Sequence, residues 1–200
     1  MAADFRSGPV LYVGDINLGA QGAAWVRAAF PQAEVVCWKL GDREGEEALR
    51  QRIRSREWSM ALSFYSDFIF RPDELQRIAL PLNFHPALPS VPGLGYDVLP
   101  LLQQHTHAGA TLHWMEAAVD TGEIFDVLRW RIPSGIPLQE LRRRNQACVI
   151  DLLRRWLPRL ASVQTPGERL TLLRANPPAE RTWGTTRLNR ANLQQLAAQI

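Results

Sequence analysis

The alternation of short apolar runs with amphipathic stretches constrains the fold of this chain more than any other feature. The runs that predict buried strands are residues 10–13, 34–38, 60–64 and 79–84. Residues 20–30 and 46–57 between them have apolar positions at helical spacing, and Pro72 begins a short predicted helix. Strands that alternate with helices form βαβ units. The sequence therefore predicts an α/β fold with a mostly parallel, twisted sheet covered by helices on both faces.

The pattern changes after a Pro- and Gly-rich loop at residues 86–95, which a short predicted helix near 97–104 follows. Residues 110–115 and 124–132 predict two further strands, with a turn at Asp120-Thr121-Gly122 between them.

The longest predicted helix covers residues 137–160, and the last forty residues lack a clear period until Asn189, a candidate helix cap. We therefore expect a catalytic domain over residues 1–165, followed by a C-terminal extension at 166–200 with a short helix.

Composition excludes several classes of protein. A chain of 200 residues with 46% hydrophobic and 22% charged residues is typical of a globular domain with a sizeable core. No apolar run approaches the roughly 20 residues that a membrane span needs, and the N-terminus lacks the order of a signal peptide. The two cysteines, Cys37 and Cys148, provide neither a disulfide framework nor a cysteine zinc site. We expect a cytoplasmic protein without a membrane partner.

Two arginine-rich runs, residues 50–56 and 142–144, admit two interpretations. Clustered arginines are typical of nucleic-acid surfaces. Acidic residues are interleaved with them, however, and the net charge is only +3, which favours solvated faces of amphipathic helices. We expect no nucleic-acid partner.

The first glycine cluster, residues 14–22, follows a predicted strand and opens a helix, where backbone N–H groups favour an anion. It lacks the Gly-Lys-Ser/Thr ending of a P-loop and the spacing of the dinucleotide fingerprint. A plain strand-to-helix turn is favoured, and a weak substrate-phosphate site stays open.

Asn83 and His85 lie two residues apart at the end of a predicted strand, so their side chains point to the same side. The carboxyl edge of a parallel sheet is where α/β proteins bind ligands. An amide beside an imidazole can polarise a carbonyl and move a proton. A lone Asn-x-His is also common as a hydrogen-bonded pair at a loop start.

The neighbourhood of this pair makes the pattern more specific. Asn83-Phe84-His85-Pro86-Ala87-Leu88-Pro89, then Gly109-Ala110-Thr111-Leu112-His113, then Asp120-Thr121-Gly122 resemble the formyltransferases that use 10-formyltetrahydrofolate. That family includes glycinamide ribonucleotide, methionyl-tRNA, amino-sugar-nucleotide and hydroxyornithine formyltransferases. The resemblance runs from about residue 60 to 132 and implies a Rossmann-like formyltransferase fold.

The resemblance implies that Asn83, His85 and Asp120 are catalytic, that 10-formyltetrahydrofolate is the formyl donor, and that no metal is needed. It also implies that Thr111 and His113 support these three residues without contacting the substrate. The residues that it places at the folate are Tyr65, Ser66, Asp67, Phe68, Ile69, Glu116, Ala117 and Val119.

Departures from the family pattern bear on the acceptor. The loop after His85 lacks the arginine found in the longer loop of the family. In this respect the chain is closer to the amino-sugar and hydroxyornithine enzymes. We expect no second domain for tRNA and no N-terminal regulatory domain. The expected acceptor is a small-molecule amine, and a homodimer stays open. Two alternatives remain, namely hydrolysis of formyltetrahydrofolate and a non-catalytic folate or nucleotide binder.

Overall fold

A computed structural model describes residues 8–188 and 190–197. Within these residues, six strands form one sheet: β1 (Val10–Gly14), β2 (Glu34–Cys37), β3 (Met60–Phe64), β4 (Pro81–His85), β5 (His107–Trp114) and β6 (Ile124–Arg131). The helices are α1 (Leu18–Ala29), α2 (Arg43–Arg54), α3 (Pro72–Leu75), α4 (Leu99–Leu102), α5 (Leu138–Ala161), α6 (Pro166–Arg174) and α7 (Arg190–Ala197). The predicted cap, Asn189, lies outside the described residues.

The strand order is β2-β1-β3-β4-β5-β6, with the first four strands parallel and β5 and β6 antiparallel to their neighbours. Strands β1 and β3 are buried along their whole length, as their continuous apolar sequences predict. The mostly parallel α/β sheet predicted from the sequence is confirmed.

The core lies on both faces of the sheet. One face packs against α1, α5 and α6, with Val26, Leu153 and Leu173 in a single apolar cluster. The other face packs against α2, whose Leu49 and Ile53 meet Trp58. Helices cover both faces, as predicted.

Helix α6 was not predicted, because its apolar positions follow no clear period. Its start nevertheless has a capping box, in which Thr165 accepts from the Glu168 N–H and the Glu168 carboxylate accepts from the Thr165 N–H. Leu173 of this helix packs in the same cluster as the sheet. The division at residue 165 stays a prediction.

The arginines of both basic runs form ion pairs with carboxylates. Arg52 pairs with Glu34, and Arg143 and Arg144 pair with Glu140. This pairing favours the interpretation of the runs as helix faces. Among the residues that the structure describes, no helix is long and apolar enough to cross a membrane.

Candidate active site

The pairing of β4 with β5 brings Asn83 against His113. Asn83 lies opposite His113 in this antiparallel register, and His85 lies opposite Thr111. Side chains that face each other across an antiparallel pair point to the same face. Accordingly, Nδ2 of Asn83 lies 3.0 Å from Nε2 of His113, whose Nδ1–H donates to the Trp114 carbonyl at 2.7 Å.

Asp120 connects the two histidines. Its Oδ2 lies 3.4 Å from Nδ1 of His85, and its Oδ1 lies 3.1 Å from Nε2 of His113. Oδ2 also accepts from the Gly93 N–H at 2.6 Å. The structure thus brings Asn83, His85, Asp120 and His113 into one cluster.

The Asp-Thr-Gly sequence positions Asp120 through tight backbone packing. Asp120 adopts a left-handed backbone conformation, with φ of 50°. A Cβ on Gly122 would lie 2.1 Å from the Trp114 carbonyl oxygen, so only glycine lets this turn pack against the end of β5.

Thr111 fixes the loop that follows β4. Its hydroxyl, which is fully buried, donates to the Ala87 carbonyl at 2.7 Å. Thr111 therefore acts on the site through the backbone of the loop at residues 86–95. Its hydroxyl bonds to this loop and not to the side chains of the cluster.

Hydrogen bonding determines the tautomer of His85. Its Nε2 lies 2.8 Å from the Val91 carbonyl, which can only accept, so Nε2 carries a proton and donates it. Burial lowers the pKa of His85 below its ordinary value, although Asp120 and the Val91 carbonyl oppose this effect. The neutral ring therefore turns the lone pair of Nδ1 toward Asp120, and the hydrogen bond from Nε2–H to the Val91 carbonyl holds its orientation.

The Asp120 carboxylate is ionised at neutral pH. Burial alone would raise its pKa, but the charge of His85 when that ring is protonated, together with His113 and the Gly93 N–H, outweighs burial and holds the pKa well below its usual range. A buried anion next to the lone pair of Nδ1 stabilises the ring once that nitrogen accepts a proton.

A cleft of about 480 Å³ opens at this cluster. Asn83, His85, His113 and Asp120 all line it. Seven of the eight residues that the family resemblance places at the folate line it too: Tyr65, Ser66, Asp67, Phe68, Ile69, Glu116 and Val119. Ala117 is exposed and lies outside the lining.

A buried arginine supports the wall formed by residues 65–70. The Arg50 guanidinium pairs with Glu74 at 2.9 Å and lies 4.6 Å from the centre of the Phe68 ring. It also donates to the Ile69 carbonyl at 3.4 Å. The first basic run thus includes one arginine that holds the cleft wall, a role that no sequence pattern indicated.

The glycine cluster after β1 forms a closely packed turn. The Asp15 carboxylate accepts from the N–H groups of Asn17 and Gly19 at the start of α1. Because a carboxylate already occupies these donors, the turn disfavours a phosphate there. A Cβ on Gly14 would lie 2.7 Å from Cα of Gly19, which explains both glycines by packing.

Sequence reasoning missed the contribution of the C-terminal residues. Arg187, Leu188 and Arg190 line the cleft, and the Trp183 ring packs against both histidines of the cluster. These residues follow no period and belong to no motif, so no local signal marks them.

No protein-family model matches this sequence, and a comparison with curated proteins finds no significant match. Solved structures do match. An N-formyltransferase from Helicobacter canadensis, in complex with folinic acid and dTDP-3-aminofucose, has a TM-score of 0.65 and 16% identity over 76% of this chain and 64% of its own. The chain thus spans just under two thirds of that protein.

Two further solved structures have the same fold. The formyltransferase PseJ from Anoxybacillus kamchatkensis, in complex with UDP-4,6-dideoxy-4-formamido-L-AltNAc and tetrahydrofolate, has a TM-score of 0.63 and 20% identity over 95% of this chain and 90% of its own. Glycinamide ribonucleotide transformylase 1 from Symbiobacterium toebii has a TM-score of 0.59 and 18% identity over 80% and 90%. The chain has the Rossmann-like formyltransferase fold. The fold predicted from the family resemblance is confirmed.

Proposed function

We propose that the protein transfers the formyl group of 10-formyltetrahydrofolate to an amine or hydroxylamine nitrogen of a small metabolite. The observation that carries the proposal is the convergence of Asn83, His85 and Asp120 in one cleft, at the carboxyl edge of a sheet with the formyltransferase fold. A pair of carboxylate and imidazole beside an amide donor suits acyl transfer to nitrogen.

The cleft suits a folate donor. Its volume of about 480 Å³ lies within the usual range of small-molecule sites. Ile69 and Val119 line the cleft with exposed side chains and offer apolar contact for a ring. Two solved structures of the same fold hold a folate compound.

Each group in the cluster has a distinct chemical role. The acceptor nitrogen attacks the formyl carbon, and the oxygen that becomes negative needs a donor, which the Asn83 amide supplies. Nδ1 of His85 takes the proton that the attacking nitrogen loses, while ionised Asp120 stabilises the resulting imidazolium. The same proton then goes to the leaving nitrogen of the folate, so the protein ends unchanged.

A nucleotide-linked amino sugar is the favoured acceptor, and a hydroxyornithine-type siderophore precursor is the second candidate. Two structural neighbours hold nucleotide-linked sugars. The loop after His85, without the family's arginine, agrees with either acceptor class.

An acceptor screen tests the proposal. The protein is incubated with 10-formyltetrahydrofolate and either dTDP- and UDP-linked amino sugars, hydroxyornithine or glycinamide ribonucleotide, and products are identified by mass spectrometry. We expect one acceptor to gain a formyl group, and folded His85→Ala to lose this activity. Formate release at the same rate without any amine indicates the hydrolase instead. Folate binding without turnover of any amine indicates a non-catalytic binder.

A further inference from the structure

Residues 183–188, called here the closing segment, lie across both loops that complete the candidate active site. Its Gly184 N–H donates to the Pro89 carbonyl at 2.8 Å, in the loop after β4. Its Trp183 Nε1–H donates to the Gly122 carbonyl at 2.8 Å, and Arg187 donates to the Asp120 carbonyl at 3.0 Å. The closing segment therefore joins two loops that are distant in sequence.

Each of these loops supplies one partner of His85. The loop after β4 carries the Val91 carbonyl, which holds Nε2, and the other loop carries Asp120, which faces Nδ1. A segment bonded to both loops fixes the distance between the two groups that determine the tautomer and the charge of this ring. Its end is anchored as well, because Leu188 packs against Ala87, Val91 and Leu99.

Trp183 also covers the imidazole rings. Its ring centre lies 4.7 Å from that of His113 and 5.9 Å from that of His85, in edge-to-face geometry. The side chains of His85 and His113 are only 5% and 2% exposed. An indole in this place keeps water from the rings, and water is the competing nucleophile in any formyl transfer.

We propose that Trp183 is a positioning and specificity-determining residue: it holds the His85–Asp120 pair in place and excludes water, so that a bound amine receives the formyl group. The chemical half of this proposal rests on the proposed function, whereas the positioning half rests on the contacts of this chain alone. When water attacks instead, its oxygen bonds to the formyl carbon and one of its protons passes through His85 to the folate nitrogen. The bond between that nitrogen and the formyl carbon then breaks, and formate and tetrahydrofolate result.

The first experiment needs no substrate. Nitrogen-15 NMR of the four histidine rings, assigned by single His→Gln variants, reports the tautomer and the pKa of His85. The charged or titratable groups that face His85 are Asp120, His113 and Arg187. In Trp183→Leu we expect water to reach the ring and the pKa of His85 to rise toward its ordinary value of about 6.5.

Matched variants separate a local effect from a general one. Trp25→Leu removes a half-buried tryptophan on α1 that packs against the core instead of the histidine rings, and it should leave the pKa of His85 unchanged. Trp183→Phe keeps an aromatic ring over the histidines, so the pKa of His85 should stay close to its lowered wild-type value. If Trp183→Leu does not fold, Trp183→Met is used in its place, because methionine is longer and more flexible than leucine and still has no ring. A folded Leu or Met variant with the wild-type pKa and tautomer of His85 overturns the positioning role.

The second experiment measures formate release and formyl transfer side by side, with the acceptor found by the screen. In Trp183→Leu we expect kcat for transfer to fall roughly 10- to 100-fold while KM for the folate is unchanged. The ratio of formate release to transfer should rise roughly tenfold. An unchanged ratio overturns the specificity role. If the wild-type protein transfers no formyl group, the proposed function fails, and the NMR experiment still decides the positioning role.

Discussion

At the scale of single residues, Asp120 connects the separate parts of the candidate active site. It lies between two histidines, accepts a backbone N–H from the loop after β4, and adopts a left-handed backbone conformation that a rigid turn maintains. Nonglycine residues in this conformation are uncommon and often lie at functional sites. The strain fits a residue that must reach back into the cluster from the turn beyond β5.

The variant Asp120→Asn tests the electrostatic role of this carboxylate. Asp120 raises the pKa of His85, so its removal should lower that pKa further. Because His85 must be neutral to take a proton, the acidic limb of the pH–rate profile should move to lower pH. The rate at neutral pH should fall, because the imidazolium loses its counter-charge.

The comparison of variants completes this test. The double variant His85→Ala/Asp120→Asn should be little slower than the slower single variant, since the two residues act as a unit. An acidic limb that moves to higher pH in folded Asp120→Asn would contradict the assignment.

At the scale of elements, two loops form the walls of the cleft on the carboxyl side of the parallel strands. Residues 65–70 follow β3, and residues 115–120 connect β5 to β6. Neither loop is regular, so each needs support from outside its own sequence. Arg50 of α2 supports the first wall, and Gly122 packing on Trp114 supports the second.

A bulky side chain at Val119 should block the cleft. Val119 lines the cleft and is 42% exposed, so Val119→Trp fits the fold but fills the space proposed for the folate. Calorimetry with a stable formyl-folate analogue should show binding to the wild type and none to the variant. Ala118→Trp is the control, since exposed Ala118 is adjacent to Val119 and lies outside the lining. An equal loss of binding affinity in both variants would contradict the proposed position of the folate.

The ion pair of Arg50 with Glu74 should matter far more than its exposed neighbours. Glu74 is fully buried and would keep only Arg54, at 3.2 Å, as a charged partner, so Arg50→Met should lower the free energy of unfolding by about 3 kcal/mol. Arg52→Met breaks the partly exposed pair with Glu34 and should cost no more than about 1 kcal/mol. Urea denaturation measures both. Similar losses in the two variants would show that burial of this pair does not govern its contribution.

At the scale of the whole molecule, helix α6 and the closing segment tie the C-terminal residues to the part of the chain that forms the candidate active site. Leu173 of α6 is 1% exposed and packs in the cluster that covers one face of the sheet. The residues after 174 then run to the cleft, where Trp183 and Arg187 bond to Gly122 and Asp120.

A core substitution in α6 tests whether this part belongs to the cooperative unit. Leu173→Ala should destabilise the protein by about 2–5 kcal/mol, because it leaves a cavity against the sheet. Leu172→Ala, at the half-buried neighbouring position, should cost less. Thermal unfolding followed by circular dichroism gives both values. A negligible effect of Leu173→Ala would favour a catalytic domain that ends near residue 165.

The sequence alone was sufficient for the elements whose signal is local. Continuous apolar runs and their helical partners predicted the parallel strands, and the spacing of Asn83 and His85 placed both on one side of a strand end. These inferences succeed because side-chain period and backbone geometry are coupled within a few residues. The roles of the site residues were implied by family resemblance and stay predictions.

Tertiary structure decided the remainder. The antiparallel register of β4 and β5 brings His113 to Asn83, burial lowers the pKa of His85, and a distant tryptophan covers both histidine rings. Helix α6 had a readable capping box, but its apolar residues pack against both α5 and β6 and so follow no single helical period. Burial, register and long-range contact depend on residues far apart in the chain, so no local pattern in this sequence encodes where Trp183 comes to lie.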